Sequence, residues 1–332
     1  QVAGLLMLSL MDPAWTVAAS VAWVVAAQGL SGLAKDITKT ASKSAIKATS
    51  NVDGNRLFKL VAWFTGSKNA MKGMGFFVGG LLLELIGFRM ALWLLAVLIA
   101  VICLLGLVSL PRELGKAKAS SSFRELVSKS GGVNMLAAAR IFLFGARDVW
   151  FVVGLPLFLY AHGWSFAEVG AFLASWTIAY GLVQAIAPAI VARSADGLSR
   201  EIPSARIWSL ALALVPALLA VALLYPPIEQ LDRVITLGLL LFGFLFAVNS
   251  SLHSYLILAY AGSEKAAEDV GFYYAANAMG RLIGIVLSGV LYQLTGMIGC
   301  LVGSALMLAA TFAISILLPT TNHGSVASRG VQ

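Results

Sequence analysis

Long apolar blocks alternate with short polar stretches along the whole chain. Met90–Leu110 and Ile207–Leu224 are uncharged throughout. A helix advances about 1.5 Å per residue, so blocks of this size can cross a hydrocarbon layer about 30 Å thick. Reading blocks and breaks in order predicts about ten spans. The first is a short Val2–Met11, followed by Trp15–Lys47, Leu57–Ile86, Met90–Leu110 and Val133–Tyr160. Phe166–Ala192, Ile207–Leu224, Val234–Tyr260, Val270–Leu294 and Met297–Leu318 complete the set. An all-α integral membrane protein is expected. Because Gln1 stands almost inside an apolar run, the chain is read as lacking upstream spans, with about ten of twelve present.

Charge divides the loops into two alternating sets. One carries Lys43, Lys47, Arg56 and Lys59, then Arg112, Lys116, Lys118, Arg124 and Lys129, then Arg193, Arg200 and Arg206. The other holds Asp12, Glu84, Arg89, Glu168, Glu229, Asp232 and Arg233. Excess Lys and Arg marks the cytoplasmic side, which places loop 111–132 and tail 319–332 inside the cell. Loop 111–132, with Ser120-Ser121-Ser122, reads as the linker between a first half, 1–110, and a second half, 133–318.

A repeat supports that division. Asn69-Ala70-Met71 matches Asn277-Ala278-Met279. With one inserted residue, Lys72 falls on Arg281, Gly75 on Gly284, Gly80 on Gly289, Glu84 on Gln293 and Gly87 on Gly296. Repeated halves joined by a basic loop are a transporter pattern. Small residues also recur wherever membrane helices pack closely, which is the plainer explanation.

Composition then narrows the class. The chain is 60% hydrophobic and 11% charged, too little charge to cover a soluble domain. Its net charge of +8 sits in inter-span loops and inside spans, so topology and anion handling explain it better than nucleic acid. The two cysteines, Cys103 and Cys300, stand alone in separate apolar blocks and suggest neither a disulfide nor a metal site. No cofactor is expected. Paired carboxylates, a nucleophile with a base and a Walker loop are all missing, which disfavours an enzyme or an ATP-driven pump.

Cations inside the spans are the candidate chemistry, since each costs at least about 2.5 kcal/mol at a helix centre. Arg147 and Asp148 lie near the middle of their span, with Arg140 two turns earlier. Neighbouring residues diverge around a helix, so Arg147 and Asp148 are expected not to neutralise each other, leaving Arg147 for an anion. Lys68, Asn69 and Lys72 form a second group, matched in the repeat by Asn277 and Arg281. Guanidinium groups suit bidentate phosphate or arsenate binding, whereas Lys acts as a point charge. Lys35, Lys39, Lys43 and Lys47 form a basic stripe beside Asp36, either snorkelling to headgroups or drawing a polyanion inward. Asn249 and His253 are one turn apart; His253 is either a packing residue or a proton carrier. Tyr273 and Tyr274 donate to substrate or belong to an interfacial belt.

The glycine-rich span 66–83 with Gly87-Phe88-Arg89 resembles the fifth helix of the major facilitator superfamily and its exit. That resemblance makes 1–110 the end of helix three with helices four to six, and 133–318 helices seven to twelve. A narrower resemblance covers Leu30-Ser31-Gly32-Leu33-Ala34-Lys35-Asp36, Thr65-Gly66-Ser67-Lys68-Asn69-Ala70 and Phe144-Gly145-Ala146-Arg147-Asp148-Val149-Trp150. His253-Ser254-Tyr255-Leu256-Ile257-Leu258-Ala259-Tyr260 and Gly271-Phe272-Tyr273-Tyr274 extend it. These strings are similar to the organoarsenical efflux permeases of bacterial arsenic-resistance operons. The resemblance implies a bacterial inner-membrane exporter of 1-arseno-3-phosphoglycerate, supplied by a glyceraldehyde-3-phosphate dehydrogenase and driven by proton antiport. Arg147, Lys68, Lys72, Arg281, Arg140, Asn69, Asn277, Lys35, Lys39, Tyr273 and Tyr274 are then the candidate substrate contacts, with Asp148, His253 and Asp36 for the proton. A monomer in the lipid bilayer is expected. The alternatives are a facilitator-type exporter of another multiply charged anion or drug and, least, a membrane-embedded enzyme.

The charge pattern generates a topological prediction. Single cysteines placed at Ser121 and Ser328 are expected to react only with a membrane-permeant maleimide in intact cells. Labelling of either by an impermeant reagent from outside reverses the orientation.

Overall fold

A computed structural model describes residues 1–49, 54–109, 131–191, 194, 198–225, 231–260 and 266–319. Loop 110–130 and tail 320–332, on which the orientation reading rests, lie outside them. The described residues are helical, without strands, in nine elements. These are α1 (Val2–Ser9), α2 (Val17–Thr49), α3 (Gly54–Ser109), α4 (Gly131–Phe151), α5 (Gly154–Ala161), α6 (Phe166–Ile190), α7 (Glu201–Leu224), α8 (Leu231–Tyr260) and α9 (Ala266–Ile316). Seven stretches among the described residues are long and apolar enough to cross a membrane. Two of these, Met71–Ser109 and Gly271–Ile316, are each broken in the middle.

The breaks fall where the repeat predicts. Gly87 has φ 73° and ψ 172°, and its repeat partner Gly296 has φ 68° and ψ −152°. A Cβ is disfavoured at such φ, so glycine lets the chain leave one span and enter the next without a loop. The paired helices of each half therefore turn at equivalent residues.

Helix faces show what the solvent is. Along α7, Ile202, Ala205, Leu212 and Leu219 are buried, while Leu214, Leu218 and Val221 on the other face are exposed. A helix apolar on both faces suits lipid on its outside. Lipid-facing residues do not drive helices together, so packing must come from close approach and hydrogen bonds.

The helices form two compact units, residues 1–120 with 165–174, and residues 121–164 with 175–332. In the first, α1 packs through Leu8 against Ala27 and Leu92, and Trp23 Nε1 donates to the Met7 carbonyl at 2.6 Å. The start of α6 is capped reciprocally: Ser165 N–H donates to Glu168 Oε2 at 2.8 Å, and Glu168 N–H to Ser165 Oγ at 3.2 Å. Glu84 of α3 accepts the Ala167 N–H at 2.8 Å. There Gly80 and Gly170 meet so closely that a Cβ on Gly170 would stand 2.8 Å from the Phe76 carbonyl.

The second unit is organised by a crossing of α4 with α9. A Cβ on Gly284 would lie 2.5 Å from the Gly145 carbonyl, and one on Gly280 would strike the Ile141 carbonyl. Backbone therefore touches backbone, as small residues permit between membrane helices. On the far side of the Gly296 break, Ser304 Oγ donates to the Ala146 carbonyl at 2.8 Å. Arg206 of α7 donates to the Ser315 and Ile316 carbonyls, at 3.1 and 2.9 Å, and so caps the C-terminus of α9.

One span departs from expectation. Val133–Tyr160 is not continuous: it breaks between α4 and α5 at residues 152–153. Pro156 has no N–H for the carbonyl four residues back, and its ring crowds that turn. Ser288 Oγ of α9 accepts the Val153 and Gly154 N–H groups, at 3.3 and 3.1 Å. The helix opens about one turn beyond Asp148.

The crossing yields a stability prediction. Gly280→Ala forces α4 and α9 apart and is expected to destabilise by about 1–3 kcal/mol. Gly289→Ala meets nothing within 4 Å and should be neutral or mildly stabilising. Thermal melting of the purified protein in detergent checks both; equal melting of Gly280→Ala and wild type contradicts the backbone crossing.

Candidate functional site

Seven of the predicted residues converge in the second unit, on the facing sides of α4, α8 and α9. Arg140, Arg147 and Asp148 come from α4, His253 from α8, and Tyr273, Asn277 and Arg281 from α9. Tyr273, Asn277 and Arg281 follow one another at four-residue spacing, so they share a face of α9. The Gly280 and Gly284 contacts press that side of α9 onto α4, opposite Arg140 at one level and Asp148 at the next.

Asp148 is the hub. Its Oδ1 accepts Arg147 Nε at 2.6 Å and lies 2.5 Å from Arg147 Nη2. Its Oδ2 accepts Arg281 Nε at 2.9 Å. The carboxylate is 1% exposed and the Arg147 side chain 8%, but the Arg281 side chain is 40% exposed. Two guanidiniums share one carboxylate, so the triad carries one surplus positive charge, and Arg281 is its accessible end.

This corrects the expectation that Arg147 and Asp148 stay apart. Their Cα–Cβ bonds do diverge, but the Arg stem is long enough to fold back across one residue. Leaving both charges bare in a low-dielectric interior costs far more than an unfavourable rotamer. Aromatic rings fix the fold-back: Arg147 Cζ lies 5.1 Å from the Phe144 ring centre and 5.4 Å from that of Phe246.

Arg140 is held differently. It is buried, with Nη1 donating to the Ser250 carbonyl at 3.0 Å and Cζ 4.0 Å above the Phe144 ring and 4.8 Å from that of Tyr273. Ser250 in turn accepts from Gln184 Nε2 at 3.3 Å and Tyr180 Oη at 3.4 Å. Asn249 donates to Ser209 Oγ at 3.0 Å. Several buried polar atoms here have no protein partner: Arg140 Nε, both His253 ring nitrogens, Tyr273 Oη, Asn249 Oδ1 and Asn277 Oδ1. Buried polar groups are rarely left unmet, so this cluster points to water or ligand.

Burial separates the two tyrosines, and the other candidates fall elsewhere. Tyr273 is fully buried, which removes it from an interfacial belt, while Tyr274 is exposed. Lys35 and Lys72 are exposed on α2 and α3. The side chains of Asp36, Lys39, Lys43, Lys47, Lys68 and Asn69 lie outside the described residues. Among the described residues no three His, Cys, Asp or Glu side chains gather as a metal site, and Cys103 is exposed while Cys300 is buried.

Ser250, Gln184, Tyr180 and Phe246 were not anticipated. A signal for the first was present: Asn249-Ser250-Ser251 and His253-Ser254 put five polar residues in six positions of an otherwise apolar helix. Gln184 is likewise a lone amide in apolar α6.

The triad predicts an order of stabilities. Asp148→Asn strands two guanidiniums, one of them buried, and is expected to destabilise by about 3–5 kcal/mol. Arg281→Gln removes the exposed partner and leaves Asp148 paired with Arg147, so its loss should be clearly smaller. Denaturation of the purified variants measures the order; equal losses contradict a hub at Asp148.

Residues 2–273 match the family model of the Major Facilitator Superfamily. No curated protein matches the chain. The match covers most of the sequence, and the all-helical fold, the spans and the buried charges agree with it: the chain belongs to the Major Facilitator Superfamily and is a multi-pass membrane protein of the secondary-transporter class.

Proposed function

We propose that this transporter exports an anionic organoarsenical, 1-arseno-3-phosphoglycerate, from the bacterial cytoplasm across the inner membrane in exchange for protons, and thereby confers arsenate resistance. One observation carries the anion part: Asp148 divides itself between Arg147 and Arg281, leaving a surplus cation whose fork is partly open. The arsenical part rests on the similar strings around Lys35, Lys68, Arg147, His253 and Tyr273.

The geometry supports an exchange at Arg281. An incoming phosphate or arsenate offers this guanidinium a bidentate partner and competes with Asp148 Oδ2. Asp148 keeps Arg147 as its partner while the anion holds Arg281, so carboxylate and cargo compete for one guanidinium. The exchange for protons rests on the same resemblance that names the cargo. The C-terminus faces the cytoplasm, the protein acts as a monomer, and a glyceraldehyde-3-phosphate dehydrogenase supplies the ester. A different multiply charged anion would use the same arginines, so cargo identity is the point to test.

Everted vesicles from cells expressing the transporter are expected to accumulate radiolabelled arsenic only when arsenate, the dehydrogenase, its nicotinamide cofactor and glyceraldehyde 3-phosphate are all supplied. Arg281→Lys keeps the charge but loses the fork, and should reduce uptake about tenfold or more. Accumulation of free arsenate without the dehydrogenase would identify another cargo.

A further inference from the structure

The anion exchange at Arg281 leaves Arg140 and its neighbours without a task. Arg140 is 4% exposed, yet its Nε–H has no acceptor. Beside it, His253 is completely buried with neither ring nitrogen bonded. Tyr273 Oη, also buried, lies near Ser254 without closing a hydrogen bond. A neutral imidazole offers one N–H, so this corner of α4, α8 and α9 presents donors from guanidinium, imidazole and phenol. No carboxylate joins Arg140 in any described contact, and its one protein acceptor is the Ser250 carbonyl. Guanidinium, imidazole and phenol donors are the groups that suit an oxyanion.

Its position relative to the triad is equally informative. Arg140 and Arg147 are seven residues apart on α4, a rise of about 10 Å along the same side of the helix. Tyr273 and Arg281 are eight residues apart on α9, about 12 Å, on the same face. Asn277 lies midway between those two, with its buried Oδ1 also unbonded. Unbonded polar atoms therefore continue along α9 from the Arg140 level toward the Arg281 level. We propose that Arg140, His253 and Tyr273 form a second anion subsite, which receives the far end of a short bis-anion whose near end is held at Arg281. This rests on the anion-exchange reading, and it narrows the cargo to molecules with two anionic groups separated by a short chain. A mono-anion fills one level and leaves the other wet.

Propane-1,3-bisphosphonate and propylphosphonate, stable compounds with two ends and one, separate the possibilities by calorimetric titration of the purified full chain. The bisphosphonate is expected to bind roughly tenfold or more tightly, the gain from one buried charge-assisted contact. Tyr273→Phe, which removes a single oxygen and so spares the fold, and Arg140→Lys, which keeps the charge, should each pull that ratio toward one. A ratio of one in the wild type, with propylphosphonate binding that still depends on Arg281, would show that the cluster holds only water and would overturn the subsite while sparing the exchange reading. A high ratio that neither variant moves would also overturn it, by placing the second anion elsewhere. Absence of binding by either compound would overturn both readings together.

Discussion

One carboxylate shared by two guanidiniums sets the terms for the rest of this structure. Asp148 is almost wholly buried, and a bare charge there would be ruinous in lipid. Arg147 from its own helix and Arg281 from α9 make it tolerable, but only if those helices approach within backbone contact. Gly145, Gly280 and Gly284 provide that approach. Larger residues would hold the helices a side chain apart and leave Arg281 Nε beyond reach of Oδ2. The sequence of small residues and the placement of charge are therefore one design. The interruption at residues 152–153 follows immediately, and Ser288 of the same partner helix satisfies the freed N–H groups. Helix α9 thus grips α4 both at the triad and at the break.

Transport needs a site that favours the cargo without holding it, and a shared counter-ion supplies this. An anion arriving at Arg281 replaces a contact instead of adding one, so the net gain is modest although each contact is strong. Only a differential interaction can shift a conformational equilibrium, and the partner of Arg281 is what differs between the empty and loaded states. Arg147 remains clasped between aromatic rings in both, which keeps the carboxylate from becoming an isolated charge. In the aromatic block behind it, Trp150 meets Trp176 and Phe242 edge to face, Phe242 stacks on Phe246, and all four are buried, a rigid backing for the charged face.

The spans were legible because hydrocarbon imposes a length and excludes charge, and those constraints are written directly into composition. The repeat was legible too, since Gly87 and Gly296 both require a conformation that few other residues adopt. Side-chain direction was not. A rule about neighbouring helix positions placed Arg147 and Asp148 apart, because it treats Cβ vectors and ignores a long flexible stem under electrostatic load. The split of the span 133–160 was overlooked because hydropathy continues unbroken through Pro156. Arg140 was picked out by its cost in the membrane, but its contact with the Ser250 carbonyl was not, since backbone acceptors leave no mark in sequence. His253 and Asn249 were noticed singly, whereas their meaning comes from a cluster assembled from three helices.

The central claim is that an anion arriving at Arg281 takes that arginine from Asp148. Infrared difference spectroscopy of the purified protein reads that carboxyl directly. On adding propane-1,3-bisphosphonate, the account predicts a shift of the ionised carboxylate bands as Asp148 loses one arginine, a shift absent in Asp148→Asn. Binding of the anion with no change in carboxyl bands assigned to Asp148 would contradict it.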